Sequence, residues 1–224
     1  EKFPSWRSIQ RNGIVGYIQG KKHFYWVCPL HQGVKEFYIG LLSEVLQNYS
    51  LDGIHLDYMR FPDTMVADTC YAYEHRKQFL ALYGVDPIEI DPLIQPEIYK
   101  LWNEYRAQSV TDLLSEINTK IHQLKPEIIL SVAVQPRGMS IELNPGFLQN
   151  WPYWAERQLL DVLIPMTYSS RVNEMKGLAV WVNNFLLGNL PAFAGIQAFN
   201  LPDPENLSQM VELSRLTHFQ GSVI

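Results

Sequence analysis

The chain has 224 residues, 47% of them hydrophobic and 18% charged, with a formal net charge of −5. That apolar fraction is enough for a large core, no stretch is long enough to span a membrane, and the acidic balance without a basic run argues against a nucleic-acid partner and suits a neutral substrate. Twelve tyrosines and six tryptophans supply flat faces suited to stacking on sugar rings, although most such residues serve ordinary cores.

The first 22 residues form an irregular segment rich in Trp, Gly and Lys. Val34, Phe37, Tyr38, Leu41, Leu42, Val45 and Leu46 then recur at helical spacing and predict one amphipathic helix ahead of a strand that starts near Asp52. A second, long helical pattern carries Ile98, Leu101, Trp102, Tyr105, Leu113, Leu114, Ile117, Ile121 and Leu124. It stops at Lys125-Pro126 and runs into an apolar strand over 128–134. A third helix is predicted around 153–160 before a strand over 161–168, a fourth around 174–186 before a strand over 191–197, and a last over about 204–217 before 220–224. Five strands alternating with helices predict an α/β protein with a parallel sheet of βαβ units.

A complete (β/α)8 TIM barrel takes roughly 250 residues, so five strands leave the first three unaccounted for. The expected architecture is therefore strands four to eight of such a barrel, a single catalytic-barrel domain over 1–224 with strands one to three missing. The alternative is a self-contained open α/β sheet.

The densest chemistry lies in Asp52-Gly53-Ile54-His55-Leu56-Asp57-Tyr58-Met59-Arg60-Phe61-Pro62. Side chains alternate along a strand, so Ile54 and Leu56 face one way while His55 and Asp57 face the other. A strand that only fills a core is apolar on both sides. Polar groups at the C-terminal ends of barrel strands line the catalytic mouth, which gives the His55 and Asp57 pair a reason.

Those residues, with Trp26-Val27-Cys28-Pro29 before them and Pro165-Met166-Thr167-Tyr168 and Ala194-Gly195-Ile196 after them, resemble the bacterial glycosyl-hydrolase-like family 10, which is distinct from the family 10 xylanases. The Arg106-Ala107-Gln108-Ser109-Val110 stretch is similar to that family's Arg-rich segment. The resemblance implies a barrel of the α-amylase and α-galactosidase type, with members tied to cleavage of bacterial envelope glycans, including peptidoglycan strands. It also implies that the Cys-Pro segment follows strand three, that the Asp57 segment is strand four and that Pro165 to Tyr168 ends strand six. An extracytoplasmic location, periplasmic or secreted, follows from the resemblance too, although no signal peptide is visible.

Glycosidic hydrolysis usually takes two carboxyl groups. Asp57 is the first candidate, because related barrels place their nucleophile at that rim. His55 could orient Asp57 or bind a substrate hydroxyl, Tyr58 is a substrate-binding candidate beside it, and Arg60 could keep Asp57 ionised. The structural alternative is an Asp57–Arg60 salt bridge. Asp52 reads as a turn or cap residue. Neither strand five nor strand six ends in an acid, so the second carboxylate must come from a loop: Asp63, Asp68, Glu142 or Glu174, or from the missing strands. In family 18 chitinases the corresponding Asp-x-x-Asp-x-Asp-x-Glu strand aligns with Asp52, His55, Asp57 and Met59. The catalytic Glu position thus holds a methionine, which disfavours that mechanism. Gln135, Tyr168 and Gln197, at the ends of strands five, six and seven, are expected to bind sugar hydroxyls; Tyr168 could equally be a core aromatic.

The remaining polar residues carry weaker signals. His23, His75, His122 and His218 lack metal-ligand spacing and read as solvated residues on or beside helices, while His31 lies closer to the rim and is a further substrate-binding candidate. Trp151 and Trp154 could line a sugar cleft or pack a helix. Cys28 and Cys70 are too few and too far apart for a zinc motif and form either one disulfide or two thiols. No metal or cofactor is expected. Two functions fit: a glycoside hydrolase acting on a bacterial polysaccharide, and a carbohydrate-binding barrel without catalysis.

Overall fold

The computed structural model of the chain describes residues 3–19, 21–138, 146–186, 190–201 and 203–224. The elements in chain order are β1 (Tyr17–Gln19), β2 (Lys22–Phe24), α1 (Gln32–Asn48), β3 (Gly53–Leu56), α2 (Tyr73–Tyr83), α3 (Pro96–Leu124), β4 (Ile129–Val134), α4 (Trp151–Glu156), β5 (Val162–Pro165), α5 (Val172–Phe185), β6 (Phe193–Gly195), α6 (Glu205–Leu216) and β7 (Gly221–Val223). They fall into two compact units, the first Glu1–Tyr49, Arg60–Leu124 and Met139–Gln149, the second Ser50–Met59, Lys125–Gly138 and Asn150–Ile224.

The second unit is the parallel α/β part. β3, β4 and β5 pair in that order, all parallel, and β6 pairs parallel with β7. Parallel bridges from Leu163 to Ala192 and from Met166 to Gly195 join the two groups. The five strands therefore run parallel in sequential order, as the alternation of strand and helix predicts. Each return to the starting edge needs a helical crossover.

Register sorts the side chains of this sheet onto two faces. Ile54, Leu130, Val132, Val134, Leu163, Ala192 and Ala194 share one face, and every one of them is buried. Burying a Val, Leu or Ile side chain contributes about 1.5–3 kcal/mol, so this face holds the strands together. The opposite face carries His55, Ser131, Ala133, Val162, Ile164, Met166, Phe193 and Gly195, of which only the small Ala133 and Gly195 are buried. A one-residue slip would exchange the two sets, which fixes the register strongly. Gly53 begins β3 because a Cβ there would stand 3.0 Å from the Ile129 carbonyl oxygen.

The first unit is mostly helical. Its core joins Tyr71, Phe79, Ile90 and Trp102, with Leu30, Val85, Ile98, Tyr99 and Tyr105 packed around them. α1 and α3 are tied at their surfaces by Lys35 and Glu116, 3.1 Å apart. β1 and β2 form an antiparallel hairpin in which Tyr17 stacks on Phe24. The Cys-Pro segment is therefore preceded by this hairpin, and Val27 forms an antiparallel bridge to Arg7, where the resemblance implied the end of a barrel strand.

Several expectations need correction. Helix α4 ends at Glu156, short of the predicted 160, because the chain turns through Gln158 at a φ of 54°. α2 has no counterpart among the predicted elements. His75 lies on it and is 4% exposed, so it is a core residue and not a solvated one. His23 sits on β2, its Nε2 2.9 Å from the Val15 carbonyl oxygen. Trp151 and Trp154 are fully buried, and Trp151 Nε1 donates to the Pro136 carbonyl at 3.1 Å. They pack the core and line no cleft.

Candidate functional site

The sheet of the second unit gathers the predicted polar residues at one edge. His55 occupies β3 and Asp57 lies just past its end, both exposed. His55 pairs in register with Ser131 of β4, and its Nδ1 lies 2.9 Å from Ser131 Oγ. Asp57 turns one carboxylate oxygen back on the chain, accepting from the Tyr58 amide at 2.7 Å. Tyr58 itself has a φ of 59°, a left-handed conformation that costs a side-chain-bearing residue roughly 1–2 kcal/mol. Strain of this kind persists only where the surroundings hold it, and it concentrates at functional sites. Its consequence here is a tyrosine ring that is 60% exposed directly after Asp57.

Gln135 follows β4 directly, Tyr168 lies three residues past the end of β5 and Gln197 two past the end of β6, all beyond the C-terminal ends of the strands. The Gln135 carbonyl accepts from the Gly138 amide at 2.9 Å, which closes a turn after β4. Tyr168 is half exposed. A Cβ at Gly195 would lie 3.3 Å from Tyr168 Cε1 and 3.1 Å from the Pro165 carbonyl oxygen, so the bare glycine is what lets the tyrosine ring lie over β6. Thr167 is buried and donates to the Gly195 carbonyl at 2.9 Å, locking the ends of β5 and β6 together. Gln197 donates from Nε2 to the Phe199 carbonyl at 2.7 Å. Thr167, Ser131 and Gly195, to which the sequence pattern assigned no role of their own, hold these groups; Thr167 stands one residue before Tyr168, Gly195 two before Gln197, and Ser131 is the register partner of His55.

The loop acids are engaged elsewhere. Glu174, in the first turn of α5, accepts from Ser169 Oγ at 2.7 Å and pairs with Arg171. This places a carboxylate where the amide-rich start of a helix favours one. Asp63 accepts from the Met65 amide at 2.9 Å and shapes a turn. Asp68 belongs to the first unit, where it meets Arg106 Nη1 at 2.5 Å, Tyr71 Oη at 2.6 Å and Tyr99 Oη at 3.4 Å. Glu142 lies outside the described residues.

Arg106 is fully buried and also donates to the Thr69 carbonyl at 2.8 Å. Burial is the largest single influence and opposes its charge, but the Asp68 carboxylate together with Tyr71 and Tyr99 outweighs it, and the pKa is raised. The same burial pushes the Tyr71 phenol well above its ordinary range, although the Arg106 charge works the other way. An unpaired buried charge costs several kcal/mol, so Asp68 serves as the counter-ion of Arg106. Arg60, in the first unit, places its guanidinium 5.5 Å from the Trp26 ring centre and 4.8 Å from that of Phe147. His31 caps α1, its Nδ1 accepting from the Gly33 amide at 3.1 Å.

Cys28 and Cys70 are joined by a disulfide, with Cα atoms 5.9 Å apart. Beside it His75 Nδ1 is 3.5 Å from Cys28 Sγ. Desolvation, helped by the nearby His31, lowers the His75 pKa to about 4.

Among solved structures, the chain is similar to the PgaB (BpsB) glycoside hydrolase domain from Bordetella bronchiseptica, with a TM-score of 0.72 and 12% identity over 92% of this chain and 60% of that one. It is also similar to bee venom hyaluronidase in complex with a hyaluronic acid tetramer, with a TM-score of 0.54 and 11% identity over 93% of this chain and 74% of that one. The chain thus spans less than two thirds of the first of these. At such identities the likeness concerns the fold. No curated protein matches the chain. No helix among the described residues is long and apolar enough to cross a membrane. The profile of the family described as Glycosyl hydrolase-like 10 matches residues 1–209, and the chain belongs to that family.

Proposed function

We propose that this protein is a glycoside hydrolase that cleaves a bacterial polysaccharide or peptidoglycan glycan strand outside the cytoplasm. In this reading the chain is one catalytic domain, its parallel strands β3 to β7 being strands four to eight of a (β/α)8 barrel. The observation that carries the proposal is the exposed run at the C-terminal end of β3, where His55 lies in the strand and Asp57 and the strained Tyr58 follow it. Barrel enzymes build their active sites at that end of the strands. Asp57 is the rim carboxylate that attacks the sugar or activates water, with one oxygen accepting from the Tyr58 amide. His55, held by Ser131, binds a hydroxyl of the sugar. Tyr58 and Tyr168 offer exposed ring faces, and Gln135 and Gln197 offer neutral hydrogen-bonding groups.

The second acid is Glu142 or Glu174 in this reading. Glu174 is the weaker of the two, because Ser169 and Arg171 already occupy its oxygens. That occupation also favours a second reading, a carbohydrate-binding barrel that holds a glycan without cutting it. The test is turnover of defined glycans, including peptide-free peptidoglycan strands, by the wild-type protein and by Asp57→Asn. We expect cleavage by the wild type and a loss of at least ~100-fold in the variant, with an unchanged circular dichroism spectrum. Glycan binding without cleavage by the wild type would select the second reading. Near-normal cleavage by a folded Asp57→Asn protein would remove Asp57 from the mechanism.

A further inference from the structure

Cys28, Cys70 and His75 are buried together in the first unit, and the two Sγ atoms and an imidazole nitrogen all lie within 4.8 Å of one another. The two cysteines have a sequence separation of 42, which is why no zinc spacing appears in the sequence. The fold supplies the convergence instead. One ligand comes from the segment before α1, one from the segment before α2, and the imidazole from the first turn of α2 itself. His75 Nδ1 stands 3.5 Å from Cys28 Sγ. Zn–S and Zn–N bonds of about 2.3 and 2.0 Å at a tetrahedral angle put sulfur and nitrogen about 3.5 Å apart, so the imidazole already stands at ligand spacing. Ser8, buried beside them, donates its hydroxyl to Cys70 Sγ at 3.6 Å. A donor of that kind stabilises a thiolate and orients it.

We infer that the reduced chain holds one zinc ion between Cys28, Cys70 and His75, so that a metal replaces the disulfide as the clamp between these segments. The exchange starts from the S–S bond. A dithiol reductant gives it two electrons and two protons, is itself oxidised to a disulfide, and leaves two thiols. Zinc then forms two Zn–S bonds and one Zn–N bond, the two thiol protons pass to solvent, and His75 enters as the neutral imidazole. Water takes the fourth position. Soft thiolate and imidazole donors select zinc over calcium or magnesium, which take oxygen ligands.

The full chain is reduced with dithiothreitol, freed of it anaerobically and titrated with Co2+ as a spectroscopic stand-in for zinc. We expect one equivalent to bind with the d–d bands of a tetrahedral ion and a thiolate-to-cobalt charge-transfer band, both abolished by added Zn2+. The oxidised protein should give neither. In reduced His75→Ala the Co2+ affinity should fall at least about 10-fold. A reduced wild-type protein that keeps its circular dichroism spectrum yet gives no tetrahedral cobalt signal would overturn the inference, as would unchanged affinity in folded His75→Ala. If that variant does not fold, zinc-edge X-ray absorption of the reduced wild type decides the point. Two sulfur neighbours with nitrogen support the site, and a shell without sulfur defeats it.

Discussion

His55 and Ser131 are register partners on β3 and β4, and a single serine hydroxyl links the imidazole to the backbone of its own strand. Ser131 Oγ lies 2.9 Å from His55 Nδ1 and donates to the Ile54 carbonyl at 3.3 Å. A serine has one hydroxyl proton, so with that proton on Ile54 the imidazole must donate from Nδ1. The Nε2 lone pair is then left as an acceptor.

This geometry makes the first prediction. Nitrogen-15 NMR of neutral His55 should show the Nδ1–H tautomer, and Ser131→Ala should release it into a mixture. On a cleaved glycan the same variant should lower kcat/KM by about 10-fold, the smaller end of the range for losing an orienting partner. An Nε2–H tautomer in the wild type would refute the assignment.

Tyr58 gives the second. Its φ of 59° suits glycine better than tyrosine, and relief of that conformation is worth roughly 1–2 kcal/mol. Glycine's greater freedom in the unfolded chain offsets part of this, by about 0.4–1 kcal/mol. Tyr58→Gly should therefore leave the thermal midpoint unchanged or raise it slightly. Loss of a stacking face should at the same time weaken glycan binding by about 2- to 10-fold, the equivalent of ~0.5–1.5 kcal/mol. A variant that melts clearly earlier with unchanged glycan affinity would show that Tyr58 serves the fold alone.

Gly195 and Tyr168 give the third. A Cβ on Gly195 meets backbone atoms of Pro165 and Met166 at 3.1 and 3.3 Å, as well as the Tyr168 ring. Backbone cannot swing aside as a long side chain does, and overpacking of this kind costs about 1–3 kcal/mol. Gly195→Ala should lower the urea midpoint by an amount in that range and shift the Tyr168 ring resonances. A neutral effect on both would mean that the β5 and β6 ends are not held as closely as they stand.

How far the sequence reveals these relationships depends on period. Long patterns are legible: the apolar stripe from Val34 to Leu46 marks α1, the run from Ile98 to Leu124 marks α3, and the short apolar runs that follow each helix mark the parallel strands. Alternation along Ile54, His55 and Leu56 reveals the two faces of β3, because strand geometry admits one sorting only. What stayed hidden depends on contacts distant in sequence. α2 buries only His75 and Phe79 and starts from Ala72 without a side-chain cap, so neither stripe nor cap announces it, and Gly84 at its end is the one local sign. β1 and β2, at three residues each, are too short to show alternation. The engagement of Asp68 by Arg106 joins a loop to a helix 38 positions away, and no local pattern encodes such a pair.

The last prediction concerns acid stability of the oxidised protein. His75 titrates near 6.5 when unfolded and at about 4 when folded, because burial and the neighbouring His31 disfavour its cation, while a hydrogen bond to the Cys70 backbone and, less, Glu74 act the other way. Between those values the unfolded chain binds a proton that the folded chain does not. Stability therefore falls as the pH drops from 6.5 towards 4, and above 6.5 this group has no effect. The gap corresponds to at most about 3 kcal/mol, reached near pH 4. Asp86, whose pKa is lowered by its hydrogen bond to Arg76, adds a loss of the same sign only at lower pH, below the ordinary carboxylate value. Urea unfolding at pH 7, 6, 5 and 4.5 should show a falling free energy for the wild type and a flatter profile for His75→Gln, whose amide does not titrate. The variant starts less stable at pH 7 because the pocket fits imidazole, yet the two curves should converge as the pH falls. Parallel curves across that range would show that His75 is not the group that responds.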